Sequence, residues 1–416
     1  MAEVPLRRNR DFLLLQAGQL LSAAGTSSTS VAYPLLVLAV SHSPGLAGFA
    51  AFARALPSVL LSLPGGAAAD RFNRKTLMIL SDACRAAALG SLAAVTLLGA
   101  LRFWLIPVVA FVEGSFTSLF NSAAAGALRS VVPAPQLPSA VGAQQARLAV
   151  TNLSGPPLGG ALFGLSRALP FAADAASYVC SVTSLLLMRT PFQETREGGQ
   201  PGLRAQVAEG FRFLWRQPFL RTTTFLYGLT NIIGPGLTLG VVVIGRADGL
   251  PGWQIGALLA AFGACLLAGS LASPLARRFL SARTIMLLEL WAWPVPLVFL
   301  IWPNVYVLAA SMLPAGLVIP VTDSVVVGYR LAITPDRLVG RVESVRSNIA
   351  LALTPFGSLT AGLLLGAVPA RLAILVFAAI ALPLAAWGTL SPAIRNAPSL
   401  ARIGTWRDRS ESVAES

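Results

Sequence analysis

Charged side chains are scarce in this chain, at 12% of 416 residues, about half the share a water-soluble domain carries. Acids are scarcer still: 17 Asp and Glu stand against 31 Lys and Arg, with one histidine, His42. The three cysteines, Cys84, Cys180 and Cys265, fall inside apolar segments without metal-ligand spacing, so packing is the role they suggest. With one His and no ligand cluster, no metal and no cofactor is expected, and the chain is not read as an enzyme. Thr76 follows Arg74-Lys75 without the Gly-rich loop that cradles phosphate, which gives direct nucleotide use no support. Turns such as Ser41–Gly45 and Asp248–Gly252 are too short to hold a domain between apolar segments. No small-residue cleavage site follows the first apolar run, so the first helix is expected to be retained.

What the chain has instead is apolar length. Hydrophobic residues make up 55% of it, and its mean hydropathy is +0.71. A membrane-crossing helix needs about 20 mostly apolar residues. The expected fold class is therefore all-α and polytopic, with 12 transmembrane helices at roughly 12–39, 46–69, 77–100, 103–129, 138–165, 170–189, 219–245, 252–275, 283–302, 304–331, 341–367 and 370–391. A net charge of +14 would ordinarily suggest nucleic acid or an anionic surface. Here most of the Lys and Arg fall on one alternating set of loops and tails, and Arg102, Arg167, Arg246 and Arg371 fall on the other. That asymmetry places both termini in the cytoplasm and argues against a nucleic-acid partner.

The hinge that orients the rest runs from Gly66 through Asp70, Arg71, Asn73, Arg74 and Lys75, between the second and third apolar segments. The expected domains are a six-helix bundle at 1–190, a cytoplasmic linker at 191–218, a second bundle at 219–392 and a cytoplasmic tail at 393–416. Gln193 to Gly202 reads as flexible, and the tail after Arg395 as disordered. Within the linker, Val207, Phe211 and Leu214 share a helical face with Arg204, Arg212 and Arg216 mostly off it, the pattern of an interfacial helix. The two bundles repeat each other weakly. An offset of 202 aligns Gly114 with Gly316, Asn121 with Asp323 and Ser122 with Ser324, and an offset of 207 aligns Ala69–Phe72 with Ala276–Phe279. Two pseudo-symmetric six-helix halves related by an axis along the membrane normal are expected.

With these residues in place, the chain resembles the major facilitator superfamily over essentially its whole length. The hinge is similar to that superfamily's G-x-x-x-D-R-x-G-R-K signature, matched by Gly66, Asp70, Arg71, Arg74 and Lys75; Asn73 stands where Gly is usual, and Asn tolerates a positive φ. Gly142, Gly155, Pro156, Gly159 and Gly160 in the fifth span resemble the antiporter motif of drug exporters, with Thr151 in place of one glycine. Asn9–Phe12, Gly155–Gly160 and Gly340–Val345 carry a closer likeness to bacterial macrolide and enterobactin exporters. The resemblance implies a secondary exporter of small amphipathic compounds, drug- or siderophore-like, working by alternating access as a proton antiporter. It implies a monomer in the bacterial inner membrane whose partners are a small-molecule substrate, protons and the bilayer. It also implies a gate in which Asp70 meets the helix starting at Gly340 and Arg341. Two departures stand out: the fourth span lacks the Arg that drug:proton antiporters of the superfamily often carry, and the first span lacks their acid.

Charges inside spans are functional candidates. Glu113 lies about 15 Å into the fourth span, where burial favours a carboxylate's protonated form, so it is the expected proton carrier; the alternative is an ion pair with Arg147 or Arg54. Asp82 and Arg85, one turn apart, are expected to pair. Ser27, Ser30, Phe116, Asn121, Arg147, Tyr227, Asn231, Asp323 and Arg346 are the expected cavity and substrate residues, with Arg147 and Arg346 alternatively salt-bridged within their halves. Transport of lipid or lysophospholipid, and a non-transporting sensor or scaffold, are the competing readings.

Overall fold

The structure, a computed structural model, describes residues 6–190, 192, 203–335 and 338–395. The linker stretch 193–202 and the tail beyond Arg395 lie outside the described residues, as does the side chain of Asp70. Helices, and no strands, make up the described residues.

By their contacts the residues divide into two units, Met1–Gly198 with Val242–Ala260, and Gly199–Val241 with Ala261–Ser416. The first unit holds α1 (Arg10–Ser41), α2 (Pro44–Leu60), α3 (Ser62–Arg71), α4 (Arg74–Leu97), α5 (Leu105–Val131), α6 (Leu137–Leu165) and α7 (Leu169–Leu187). The remaining helices are α8 (Leu203–Arg216), α9 (Pro218–Ala247), α10 (Gly252–Phe279), α11 (Ala282–Ala292), α12 (Val305–Ile333), α13 (Val339–Ala352), α14 (Thr354–Ala367), α15 (Ala370–Leu390) and the short α16 (Pro392–Arg395). Asn9, Ser43, Asn73, Ser281 and Asn304 start their helices by accepting a free first-turn N–H with the side-chain oxygen.

Ten stretches among the described residues are long and apolar enough to cross a membrane, two of them composite (Ala282–Leu300 and Val339–Ala367), and Pro44–Leu60 is apolar but shorter. Three expected spans are interrupted. The second breaks at Leu61 into α2 and α3, between Pro57 and Pro64. The ninth leaves α-geometry after Ala292 and continues as a 3-10 stretch, Val295–Leu300, next to Pro294 and Pro296. The eleventh divides into α13 and α14 at Leu353, with Pro355 in the first turn of α14. In each case proline removes a backbone donor and its ring crowds the preceding turn. Asn73 also differs from expectation: its φ is −61°, so it stands in the signature as the cap of α4 and not as a left-handed turn residue.

The lower core of the first unit gathers Phe12, Leu15, Met78, Phe120, Leu185, Met188 and Phe192. Polar residues of the motifs tie its chain ends together. Asn9 donates to the carbonyl of Val131 at 3.0 Å, Lys75 donates to that of Met188 at 2.6 Å, and Asp11 accepts from the backbone of Arg189 and Thr190.

In the second unit α8 packs on α13. A Cβ built on Gly210 would stand 2.7 Å from the carbonyl oxygen of Arg341, so glycine is what lets the helices meet. Leu214 and Phe213 are buried, whereas Phe211 stacks on Trp215 (centroids 5.5 Å apart) on the exposed side. The expected grouping of Phe211 with Leu214 is thus split: one face of α8 is spent on α13, and the aromatic pair remains outside. Arg341 is ion-paired with Glu209 of α8. Both side chains are partly exposed, so Arg341→Ala is expected to shift thermal stability by less than about 1 kcal/mol, read by unfolding of the purified protein.

Candidate functional site

Five helices of the first unit bring ionisable groups to one buried point. Gly114 lets α5 approach α2 so closely that a Cβ there would be 2.1 Å from the carbonyl oxygen of Arg54. Gly18 and Gly25 do the same for α1 against α7, where Cβ atoms would meet Ser184 Oγ at 2.1 Å and Asp174 Oδ1 at 2.3 Å. Small residues at such crossings let helix backbones draw together in a bilayer. The side chains flanking them are then pressed into contact.

Glu113, 1% exposed, lies at the centre. Arg54 donates to it through Nε at 2.6 Å and through Nη2 at 3.4 Å. Arg85 Nη2 stands 3.8 Å away, and the Thr117 hydroxyl donates at 3.2 Å. Of the two alternatives for an ion-paired Glu113, the pairing with Arg54 forms and that with Arg147 does not. Arg85 donates to Asp82 at 2.9 Å, as their spacing implies, and lies over the Tyr178 ring at 3.8 Å while donating to its hydroxyl at 2.6 Å. Thr26 is shared: its Oγ1 accepts from Arg85 at 3.1 Å, lies 2.9 Å from the Tyr178 hydroxyl and donates to the Ser22 carbonyl.

Asp174 completes the cluster. It is fully buried, and its neighbours are hydroxyls: Thr29 at 2.9 Å, Ser177 at 3.2 Å and Tyr178 at 3.4 Å. The site therefore holds three carboxylates and two guanidiniums. In a low-dielectric interior such an imbalance is relieved by binding one proton.

The other expected site residues do not converge here. Arg147 donates to Gln16 and Gln19 of α1. Ser27 packs against Gly155 of α6, and Ser30, exposed, turns its hydroxyl back to the carbonyl of Ser27. Phe116 is half-buried and Asn121 exposed. In the second unit, Asn231 donates to the carbonyl of Ala350 at 2.8 Å, and Tyr227 reaches toward that of Met286 at 3.5 Å. Arg346 pairs with Glu343, which also holds Arg330; the salt-bridged alternative is the one that forms. Asp323 is exposed. Glu289 of α11, buried and 207 positions after Asp82, was not anticipated.

The hinge and the glycine motif have local structural roles. Arg74 covers Gly126, where a Cβ would meet its guanidinium at 2.5 Å; Arg71 is exposed, its guanidinium over Phe72. Gly66, Gly142 and Gly340 have open space where a Cβ would be. Gly155 and Gly159 press on α1 at Ser27 and Ser28, and Gly160 and Pro156 meet the start of α10 at Gly252 and Gly256.

The sequence that builds this site matches a known family. Residues 2–411 fit the model of the transmembrane secretion effector family, a group within the major facilitator superfamily. The chain belongs to that family. The transporter is 26% identical over 408 residues to the multidrug efflux pump Tap of Mycolicibacterium fortuitum, covering 91% of this chain and 94% of that protein. It is 28% identical over 412 residues to Tap of Mycobacterium tuberculosis, covering 93% and 94%. Among solved structures, the nucleoside transporter NupG superposes with a TM-score of 0.72 at 12% identity over 91% of this chain and 99% of that one. A bacterial homologue of the iron transporter ferroportin, in an inward-facing state, gives 0.71 at 17% over 93% and 99%. At such identities the structures establish the transporter's major facilitator fold and nothing about its substrate. The transporter is thus a multi-pass membrane protein of a family of carriers and not of enzymes.

Proposed function

We propose that this transporter exports small amphipathic organic compounds across the bacterial inner membrane by alternating access, in exchange for protons. The observation that carries the coupling is the unequal charge count around Glu113: three buried carboxylates, Asp82, Glu113 and Asp174, face two guanidiniums, Arg54 and Arg85. A rearrangement that changes how the carboxylates are paired changes their hold on a proton, which is what antiport requires. That both Tap relatives are multidrug efflux pumps supports the direction and substrate class. In this reading all twelve expected spans cross, α2 with α3 and α6 included, and both termini lie in the cytoplasm. The hinge from Gly66 to Lys75 gates the cytoplasmic side, the exposed Phe211–Trp215 pair rests on the inner leaflet, and the working unit is a monomer.

The test is proton release from purified protein as amphipathic drugs are added in weakly buffered solution. Wild type is expected to release protons on binding, and Glu113→Gln is expected to lose that release, since it removes the acid held by both arginines. Drug binding without any proton change in the wild type would overturn antiport and turn attention to lipid transport or another coupling ion.

A further inference from the structure

Among the cluster's carboxylates, Asp174 alone forms no ion pair with a described residue. Glu113 takes Arg54, and Asp82 takes Arg85. Around Asp174 the cluster holds Thr26, Thr29 and Tyr33 from α1, Arg54 from α2, Arg85 from α4, Glu113 from α5, and Ser177 and Tyr178 from its own helix, with Asp82 paired to Arg85. From α6, Arg147 is engaged with α1 glutamines instead.

The hydroxyls around Asp174 are arranged for a neutral acid. Each has one proton to give. That of Ser177 is closer to the main-chain carbonyl of Asp174, at 2.7 Å, than to the carboxyl at 3.2 Å. That of Tyr178 is closer to Thr26 Oγ1, at 2.9 Å, than to Asp174 Oδ2 at 3.4 Å. Thr29 Oγ1 sits 2.9 Å from Asp174 Oδ2 and 3.1 Å from the carbonyl of Thr26. A protonated Asp174 can therefore donate to Thr29, whose own proton passes to the Thr26 carbonyl, and every member of that chain is satisfied. An ionised Asp174 would keep one short hydrogen bond, from Thr29, at a fully buried site. A buried carboxylate needs two or three such donors or a cation.

We propose that Asp174 is the proton-binding site of this transporter, loaded in the arrangement seen here, with Glu113 acting as the fixed anion that holds Arg54 and Arg85 away from it. Occupancy of the site stands on the geometry; release of its proton during export rests on the antiport reading above. In the released state, Asp174 would take over a guanidinium from Glu113 or Asp82.

Infrared difference spectroscopy of the protein in lipid nanodiscs tests the assignment through the carbonyl stretch of protonated carboxylic acids. At neutral pH the wild type is expected to show a component that Asp174→Asn removes, and that Glu113→Gln weakens by freeing Arg54 to pair with Asp174. Thr29→Val, which takes away the acceptor and leaves the acid, is expected to shift that component to higher frequency. Asparagine copies the shape of a neutral acid, so Asp174→Asn is expected to fold with a wild-type melting temperature. Spectra of wild type and Asp174→Asn that superimpose, a Thr29→Val spectrum without a shift, or an Asp174→Asn protein that cannot fold would each overturn the assignment. Drug-driven proton release separates the two proposals. If release occurs and survives in Asp174→Asn, antiport stands and Asp174 is not the carrier. If the infrared component belongs to Asp174 and drugs displace no proton, the site stands and antiport fails.

Discussion

Replacing Arg54 by methionine is expected to destabilise the folded transporter by about 3 kcal/mol, the lower end of what breaking a buried ion pair costs. The reason lies in what remains. Glu113 is 1% exposed, and without Arg54 the only cation near it among the described residues is Arg85 at 3.8 Å, already donating to Asp82. The double variant Arg54→Met, Glu113→Met removes both charges and is expected to regain most of the loss, because an apolar pair of similar volume suits this interior at least as well. Thermal unfolding of the wild type, both single variants and the double variant closes the cycle. Additive losses in the double variant would mean that the two side chains do not depend on each other.

The second large effect is expected within the glycine motif. A methyl at Gly159 would lie 2.1 Å from the carbonyl oxygen of Ser28, and one at Gly160 would lie 2.0 Å from that of Gly252. Backbone cannot step aside as a side-chain tip can, so whole helices must separate. Overpacking of this kind typically costs about 1–3 kcal/mol per site, occasionally more. Gly159→Ala with Gly160→Ala is therefore expected to leave little membrane-inserted, folded protein. Gly142→Ala, in the same motif with nothing near its Cβ direction, is expected to be neutral or to gain up to about 1 kcal/mol of helix stability. The readout is folded yield and melting temperature of the two variants in one detergent. Equal behaviour at Gly142 and Gly159 would show that the motif acts through backbone freedom alone.

Particular residues show how much of this was legible in the chain. Glu113 was visible because an acid in an apolar span is conspicuous, and Arg54 was one of two partners that spacing allowed. Asp174 obeys the same rule but sits in a short run of alanines and serines outside the signature motifs, where only its charge marks it. Glu289, in the repeat of Asp82, was a second acid that the rule would have found. The run Ser27-Ser28-Thr29-Ser30 could not be resolved from sequence, since four consecutive positions look in every direction around a helix. In the structure Ser28 and Thr29 are buried, Ser27 meets α6 and Ser30 is exposed. Helix count was harder to read where prolines broke spans at Leu61, Ala292 and Leu353, because proline can either kink a helix or end it. The fourth span carries no Arg beside Glu113, and the charges are transposed: the carboxylate sits on α5, while the guanidiniums come from α2 and α4.

That transposition constrains how the protein can change in descent. Losing Arg54 strands an acid, losing Glu113 strands a base, and either step passes through a poorly folding intermediate. Viable routes exchange charges in matched sets, so residues 54, 82, 85, 113 and 174 should be inherited together or replaced together. A lineage that had drifted to another set would face the same barrier on the way back, and the cluster would then act as a slow marker of ancestry among carriers whose outer surfaces diverge freely.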